Sequence, residues 1–422
     1  MRSSTKTYTI TEYGGFVRGD LSIVGYQPLP VHTFDALESF ILANCSENST
    51  EAMELLSLSV KRGVGKTITA RNYVGLITMK DGTVIEILPK IYGNGINEVR
   101  TKQIFLEMLK TLRDVSFKDF NESNLKIDRL NLFEIFISMF VAEVSALVKQ
   151  GLKSAYNSLE VNERFFKGKL NVSQHIKSNY FTKDRFFVKY DEWSVNRPEN
   201  RLLQSTLQLL LRQTTDGRNR LNISRLLGSF EGVTASKDYE ADITKCAIDR
   251  SMSHYGRALS WCKVFLRGNS FTTFVGSEVA VALLFPMEKV FESYIASKLR
   301  GCIPPNIEMI TQDARYSLFD SPNKAFGLRP DIVLTSVNGT IVMDTKWKLL
   351  SDNARNYGIS QADMYQMYAY GKKYNATKVF LLYPQNDNCR TSDIFFCSED
   401  GVEVKITFID LIQPEISIAA LV

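Results

Sequence analysis

Apolar and polar positions recur with two different periods along the chain, and the switches between them mark its parts. Residues 34–43 place Phe34, Leu37, Phe40 and Ile41 at helical spacing. Apolar runs at 74–79 and 83–88 flank Lys80-Asp81-Gly82, which predicts a hairpin whose second strand Pro89 closes. From about residue 101 the helical period takes over. Its strongest stripe is 132–151, with Leu132, Ile135, Phe136, Met139, Phe140, Val144 and Leu147 inside and Gly151 to stop it. Residues 200–212 and 251–267 read as further helices, whereas 212–238 is polar and turn-rich and reads as a surface loop. After about residue 275 come a helix, a hairpin, a second helix and strands at 378–383, 393–397 and 402–409. Strands interspersed with helices at this spacing predict a central sheet flanked by helices. The expected fold class is therefore mixed α/β: a β-rich N-terminal region (1–125), a mainly helical middle (126–275) and a C-terminal α/β domain (276–422).

The C-terminal hairpin concentrates the chemistry. Residues 327–348 read GLRPDIVLTSVNGTIVMDTKWK. Asn338-Gly339 is a strong two-residue turn signal, because both central positions of a type I′ turn need positive φ. With that loop, Val337 pairs with Thr340 and Asp331 falls opposite Lys346. Alternation puts Asp344 and Lys346 on one face and points Thr345 away. Asp331, Asp344 and Lys346 then converge within roughly 5–8 Å. Two carboxylates and an ammonium at strand ends suit a divalent-metal site for phosphodiester hydrolysis. The carboxylates hold a hard cation such as Mg²⁺, and the lysine orients or deprotonates water or steadies developing charge.

An acid-x-Lys triplet alone is common; Glu403-Val404-Lys405 is another, without a Pro-Asp at hairpin distance. The flanks add weight to Asp344. A helix beginning at Pro286 and running to about Arg300 carries Met287, Phe291, Tyr294, Ile295 and Leu299 as its apolar stripe, with Glu292 at the border. Glu292 is either an exposed acid paired with Lys289 or a third acid reaching over the sheet. Ser360-Gln-Ala-Asp363 opens the following helix, where Gln366 and Tyr370, four apart, share a face.

At these residues the chain resembles the PD-(D/E)xK nuclease superfamily, through Pro330-Asp331 and Asp344-Thr345-Lys346. Gln366-Met367-Tyr368-Ala369-Tyr370 is similar to the glutamine-tyrosine motif of its RecB-like branch. FPMEKVFESYIA, LRPDIVL, MDTKWK and DMYQMYAYG together resemble the McrC family, nuclease subunits of McrBC-type modification-dependent restriction systems. ARNYVGLITMKDGTVIEILPKIY resembles the N-terminal region of that family, where a β-rich segment helps engage a partner GTPase. RFFKGKLNVSQHI and VKYDEWSVNRPENRLL resemble its middle. The resemblance implies an Mg²⁺-dependent endonuclease, with Mn²⁺ an acceptable substitute. Its metal ligands would be Asp331, Asp344, the Thr345 carbonyl and Glu292, with Lys346, Gln366 and Tyr370 completing the centre. It also implies a McrB-like AAA+ GTPase ring as partner, GTP bound by that partner, and double-stranded, methylated DNA as substrate.

Composition narrows the classes further. The 422 residues are 44% hydrophobic and 23% charged. No apolar run approaches the roughly 20 residues of a membrane span, and the first residues lack the apolar segment of a secretory signal. Six cysteines without a CxxC and three distant histidines disfavour a zinc ribbon, a disulfide framework or a histidine-rich metal centre. The chain reads as cytoplasmic. A net charge of +5 permits nucleic-acid contact without demanding it. Residues 62–67, RGVGKT, imitate a phosphate loop, but Val60 stands where the first glycine belongs and strands follow, so no nucleotide is assigned to this chain. The basic-aromatic segments at 164–176 and 188–203 fit nucleic-acid contact or a strand pair with solvated lysines. Two other functions stay open: a GTPase-activating interaction subunit with an idle nuclease fold, and a stand-alone DNA-repair-type nuclease.

Overall fold

The computed structural model describes residues 6–20, 23–45, 55–93, 95–112, 130–246, 250–267, 279–391 and 393–421. The chain forms two compact units, 1–132 together with 270–422, and 133–269.

The first unit begins with β1 (Thr7–Thr11), β2 (Gly15–Arg18), β3 (Tyr26–Leu29), the helix Val31–Cys45, β4 (Leu56–Lys61), β5 (Gly65–Ala70), β6 (Tyr73–Met79) and β7 (Val84–Leu88). Phe34, Leu37, Phe40 and Ile41 are all buried, as their helical spacing requires. β4 and β5 pair from Leu56↔Ala70 to Lys61↔Gly65, so residues 62–64 form the turn of a hairpin. β6 and β7 form the hairpin that the 74–88 pattern predicts.

The second unit is built on the helix Leu132–Gln150, which enters it at Phe133. Phe136 and Phe140 of this helix meet Trp261 and Phe265 of the helix Gly256–Arg267 at ring-centroid distances of 5.8 Å each. β8 (Ala155–Glu163) and β10 (Phe186–Ser194) run antiparallel through nine residues each, with β9 (Lys169–Leu170) on the far side of β10. Residues 212–238 differ from expectation, because the helix Gly217–Gly228 lies within them. Asp216 caps it by accepting from the Asn219 amide, and only Asn219, Ile223 and Leu226 are buried on it. Two apolar positions make too narrow a stripe for the period to register. Residues 251–267 also divide, into a 3₁₀ turn Arg250–Tyr255 and the helix Gly256–Arg267.

The chain returns to the first unit at β11 (Val279–Pro286), which pairs antiparallel with β6 and completes the sheet β1-β7-β6-β11. After it come the helix Met287–Cys302, β12 (Glu308–Thr311), β13 (Ser317–Phe319), β14 (Ala325–Gly327), β15 (Ile332–Ser336) and β16 (Gly339–Thr345). The helix Gln361–Lys373 leads to β17 (Ala376–Pro384), β18 (Ile394–Cys397) and β19 (Glu403–Ile409). Six of these strands form a mixed sheet in the order β12-β15-β16-β17-β19-β18. β15 and β16 are antiparallel, while β16, β17 and β19 are parallel. Val333, Val342, Leu381 and Ile406 from the sheet pack with Met367 and Tyr370 of the following helix. The fold is mixed α/β. Among the described residues no helix is long and apolar enough to cross a membrane.

Candidate active site

The turn of the β15–β16 hairpin sits one residue earlier than the Asn-Gly signal places it. Ser336 pairs with Gly339, leaving Val337 and Asn338 as the loop. Neither has positive φ; Gly339 does, at 122°. A Cβ at Gly339 would lie 2.4 Å from Thr377 Cγ2 on β17, so close approach to the next strand also demands glycine here. The register moves accordingly. Ile332 pairs with Met343, so Asp331 falls opposite Asp344 rather than opposite Lys346. Antiparallel pairing then brings the two carboxylates face to face at the mouth of the hairpin.

Hydrogen bonds orient Asp331 at both oxygens. Its Oδ2 accepts from the Thr345 amide at 2.8 Å and from Thr345 Oγ1 at 2.7 Å. Thr345 was expected to point away, yet its hydroxyl turns back to this carboxylate. Asp331 Oδ1 accepts from Gln312 Nε2 at 2.9 Å, and the same amide group donates to Glu292 Oε1 at 2.5 Å. Glu292 therefore faces the site from its helix. Burial, then the charge of Asp331, push its carboxyl up to about 7.

Asp344 is 2% exposed. Its Oδ2 has the Lys346 ammonium 2.6 Å away, a charge-assisted contact. Burial first, and then the Asp331 charge, raise the Asp344 carboxyl, against the pull of Lys346. Burial works against the charge of Lys346 as well, but Asp344, Asp363 and Asp331 outweigh it and hold the ammonium above its ordinary range. Lys346 Nζ also donates to Gln366 Oε1 at 3.3 Å, and Gln366 Nε2 donates to Tyr370 Oη at 2.6 Å. Tyr370 is 1% exposed and meets the lysine only through Gln366.

All seven candidate residues named from the sequence thus converge, either directly or through one intervening amide. Sequence reasoning missed Gln312. It follows β12 with φ 54°, a left-handed conformation rare outside glycine, and its amide lies between two carboxylates. No motif marks it; only the pairing of its backbone with Asp331, amide to carbonyl at 2.9 Å, brings it there.

Among the described residues, no three His, Cys, Asp or Glu side chains gather closely enough to form a ready metal cage. A divalent cation nonetheless fits the donor set. Asp331 and Asp344 present hard carboxylate oxygens close enough for the charge of one to raise the other, and Lys346 is the cation that offsets the buried Asp344. Glu292 is held one amide further out.

The sheet and its site define a mixed α/β protein with an acid-acid-lysine centre at the mouth of an antiparallel strand pair. Residues 68–384 match the family model described as McrBC 5-methylcytosine restriction system component, and the chain belongs to that family. Among curated proteins none matches it. A chain of the Thermococcus gammatolerans assembly of McrB AAA+ hexamers with bound McrC is similar in fold. Its TM-score is 0.67 at 20% identity, over 96% of this chain and 94% of that one. A chain of the Thermococcus gammatolerans McrBC complex matches with TM-score 0.48 at 22% identity, over 69% of this chain and 86% of that one.

Proposed function

We propose that the chain is the DNA-cleaving subunit of a two-component, modification-dependent restriction system acting in the cytoplasm. The observation that carries this reading is the pairing of Asp331 with Asp344 beside the Lys346 ammonium, on a hairpin that resembles the PD-(D/E)xK nucleases. Asp331 and Asp344 would hold Mg²⁺ or Mn²⁺, with the Thr345 carbonyl and Glu292 as further ligands. When bound, the cation supplies Lewis-acid polarisation of the phosphate and a more acidic water. The remaining roles belong to the chain's own groups. Thr345 and Gln312 fix the orientation of Asp331 through both its oxygens. Lys346, held protonated, positions the attacking water or the phosphate by hydrogen bonding and balances charge developing on it; the raised ammonium disfavours a role as base. Tyr370 and Gln366 fix the direction of that ammonium. Family membership supports an AAA+ GTPase ring as partner, engaged and stimulated by the N-terminal β-rich region, with methylated duplex DNA as substrate.

The test is cleavage of methylated and unmethylated plasmid with Mg²⁺ and GTP, with and without the ring protein, alongside Asp344→Ala. Partner-dependent cutting of methylated plasmid, lost in Asp344→Ala while GTPase stimulation survives, is the expected result. GTPase stimulation without cutting of any DNA would assign a regulatory subunit instead. Cutting without partner or GTP would assign a stand-alone nuclease.

A further inference from the structure

The β12–β15 pair does not end at the active site. Past the Gln312–Asp331 backbone bond the two chain segments stay paired, with Leu328 N donating to Tyr316 O at 2.9 Å. Ser317↔Gly327 and Phe319↔Ala325 then form the separate two-stranded ribbon β13–β14. This ribbon is an arm rooted at Asp331. Phe326 stands five residue steps before Asp331, a reach of roughly 15 Å in extended chain.

The arm exposes what soluble surfaces usually hide. Phe319 is 55% exposed and Phe326 74%, and their rings meet edge to face at 5.9 Å. Phe326 stands at φ 56°, a costly conformation for an aromatic residue, and one so exposed gains little burial in return. Strain of this kind accumulates where a side chain is presented to a ligand. Tyr316 anchors the base against Tyr374 at 4.7 Å. The two acids nearest the arm are neutralised: Asp313 by Arg315 at 2.6 Å, and Asp320 by Lys373 at 2.8 Å. Lys324 and Arg329 are exposed, and neither forms an ion pair among the described residues. Lys324 acts on Asp320 and Arg329 on Glu292 only at longer range, and residues 313–329 carry three cations against two carboxylates, so the balance of the arm is positive.

We propose that the β13–β14 ribbon is a docking arm for duplex DNA, whose Phe319–Phe326 pair enters the groove beside the phosphate presented to the Asp331–Asp344–Lys346 centre. The inference rests on the nuclease reading and adds where the substrate is gripped. Two-stranded ribbons enter the DNA major groove, about 12 Å wide and about 8.5 Å deep, and an arm of roughly 15 Å is long enough to reach its floor. There the aromatic rings pack against base edges, and nearby cations meet the phosphates. A duplex engaged this way needs no particular sequence, as suits a subunit that cuts where a partner has stopped.

The experiment is fluorescence anisotropy of a labelled 30-base-pair duplex with the full chain in Ca²⁺. Phe319→Ala/Phe326→Ala should weaken binding tenfold or more, whereas Phe326→Tyr should keep most of it. Phe395→Ala removes an aromatic 62% exposed on β18, at the opposite edge of the six-stranded sheet, and should change nothing. Lys324→Gln/Arg329→Gln should lower the slope of log affinity against log salt by about 2. Thermal melting of each variant should match the parent, since every altered side chain is exposed. Parental affinity in the double alanine variant, an equal loss in Phe395→Ala, or no duplex binding by the parent chain would each overturn the proposal. So would loss of partner GTPase stimulation with duplex binding intact, which would make the arm a protein contact. Asp344→Ala separates the two readings. If it still cuts, the assigned nuclease centre is wrong, while the anisotropy series judges the arm independently.

Discussion

The indole Nε1 of Trp347 donates to both carboxylate oxygens of Glu12, at 3.0 and 2.9 Å, across 335 positions of sequence. Trp347 directly follows Lys346, and its ring packs edge to face on Phe291, the neighbour of Glu292, at 5.3 Å. Glu12 Oε1 also accepts from the Lys90 amide at 2.7 Å. One buried carboxylate thus ties the N-terminal strands to the residue beside Lys346.

Burial pushes Glu12 from 4.5 up to about 7, despite the two donors that favour its charge. A folded-state pKa above the unfolded one means that the folded chain holds its proton longer. The unfolded chain ionises first, so stability falls as pH rises from about 4.5 to about 7 and then levels. At 1.36 kcal/mol per pKa unit the ceiling is about 3 kcal/mol. Glu12→Gln keeps an acceptor at Oε1 for both Lys90 and Trp347 and cannot ionise. Denaturant midpoints measured between pH 4.5 and 8 should slope less in this variant than in the parent.

Gly75 lies where the two chain segments of the first unit pair, β6 against β11. Its φ is 137°, and a Cβ there would lie 1.9 Å from the Leu283 carbonyl oxygen on β11. Neither backbone can yield without breaking the β6–β11 pair. Gly75→Ala should cost roughly 2–4 kcal/mol in chemical unfolding. Gly82→Ala, in the turn after β6 with open space around it, should cost less than half as much.

These two relationships also explain what could be read from the sequence. The local periods of 34–43, 74–88 and 132–151 gave elements close to those observed, because each buries a stripe written in consecutive residues. The carboxylates and lysine were legible because one hairpin carries all three. The register was not. Asn338-Gly339 satisfies a I′ turn on paper, but contact with Thr377 on another strand decides where the glycine goes. Glu12, Gln312 and β11 reach their partners only through tertiary pairing, so no window of sequence contains them together. Helix 217–228 escaped because Glu134, a residue far away in sequence, supplies acceptors to Asn219 in place of an apolar stripe.

Removing the ammonium and removing a carboxylate should have opposite effects on cation binding. Lys346→Ala leaves the buried Asp344 beside Asp331 with no positive charge, which should cost roughly 2–3 kcal/mol of metal-free stability after allowance for the partial exposure of the lysine. A divalent cation would replace the lost charge. The melting temperature of Lys346→Ala should therefore rise more on adding Mg²⁺ than that of the parent, although plasmid cleavage falls a thousandfold or more. Asp344→Ala should lose both the cleavage and the Mg²⁺ shift. Equal Mg²⁺ shifts in the parent and both variants would place the cation elsewhere.

Cation affinity should depend on pH with a sign fixed by the raised carboxyls. Glu292 sits at about 7 and Asp344 is raised by burial and by Asp331. Below these values a proton occupies the oxygen that a cation needs, so binding must expel it, and affinity rises with pH. One proton displaced gives up to tenfold per pH unit, until the group is ionised without help. Mn²⁺ titrated calorimetrically into the full chain should bind progressively more tightly from pH 5.5 to about 7.5 and level above. Glu292→Gln should flatten the limb near pH 7 and leave the lower limb set by Asp344. Gln312→Ala removes the amide that lowers the Glu292 carboxyl, so the limb should move to higher pH and not disappear. An unchanged pH profile in both variants would remove Glu292 from the cation site and leave Asp331 and Asp344 as its only carboxylates.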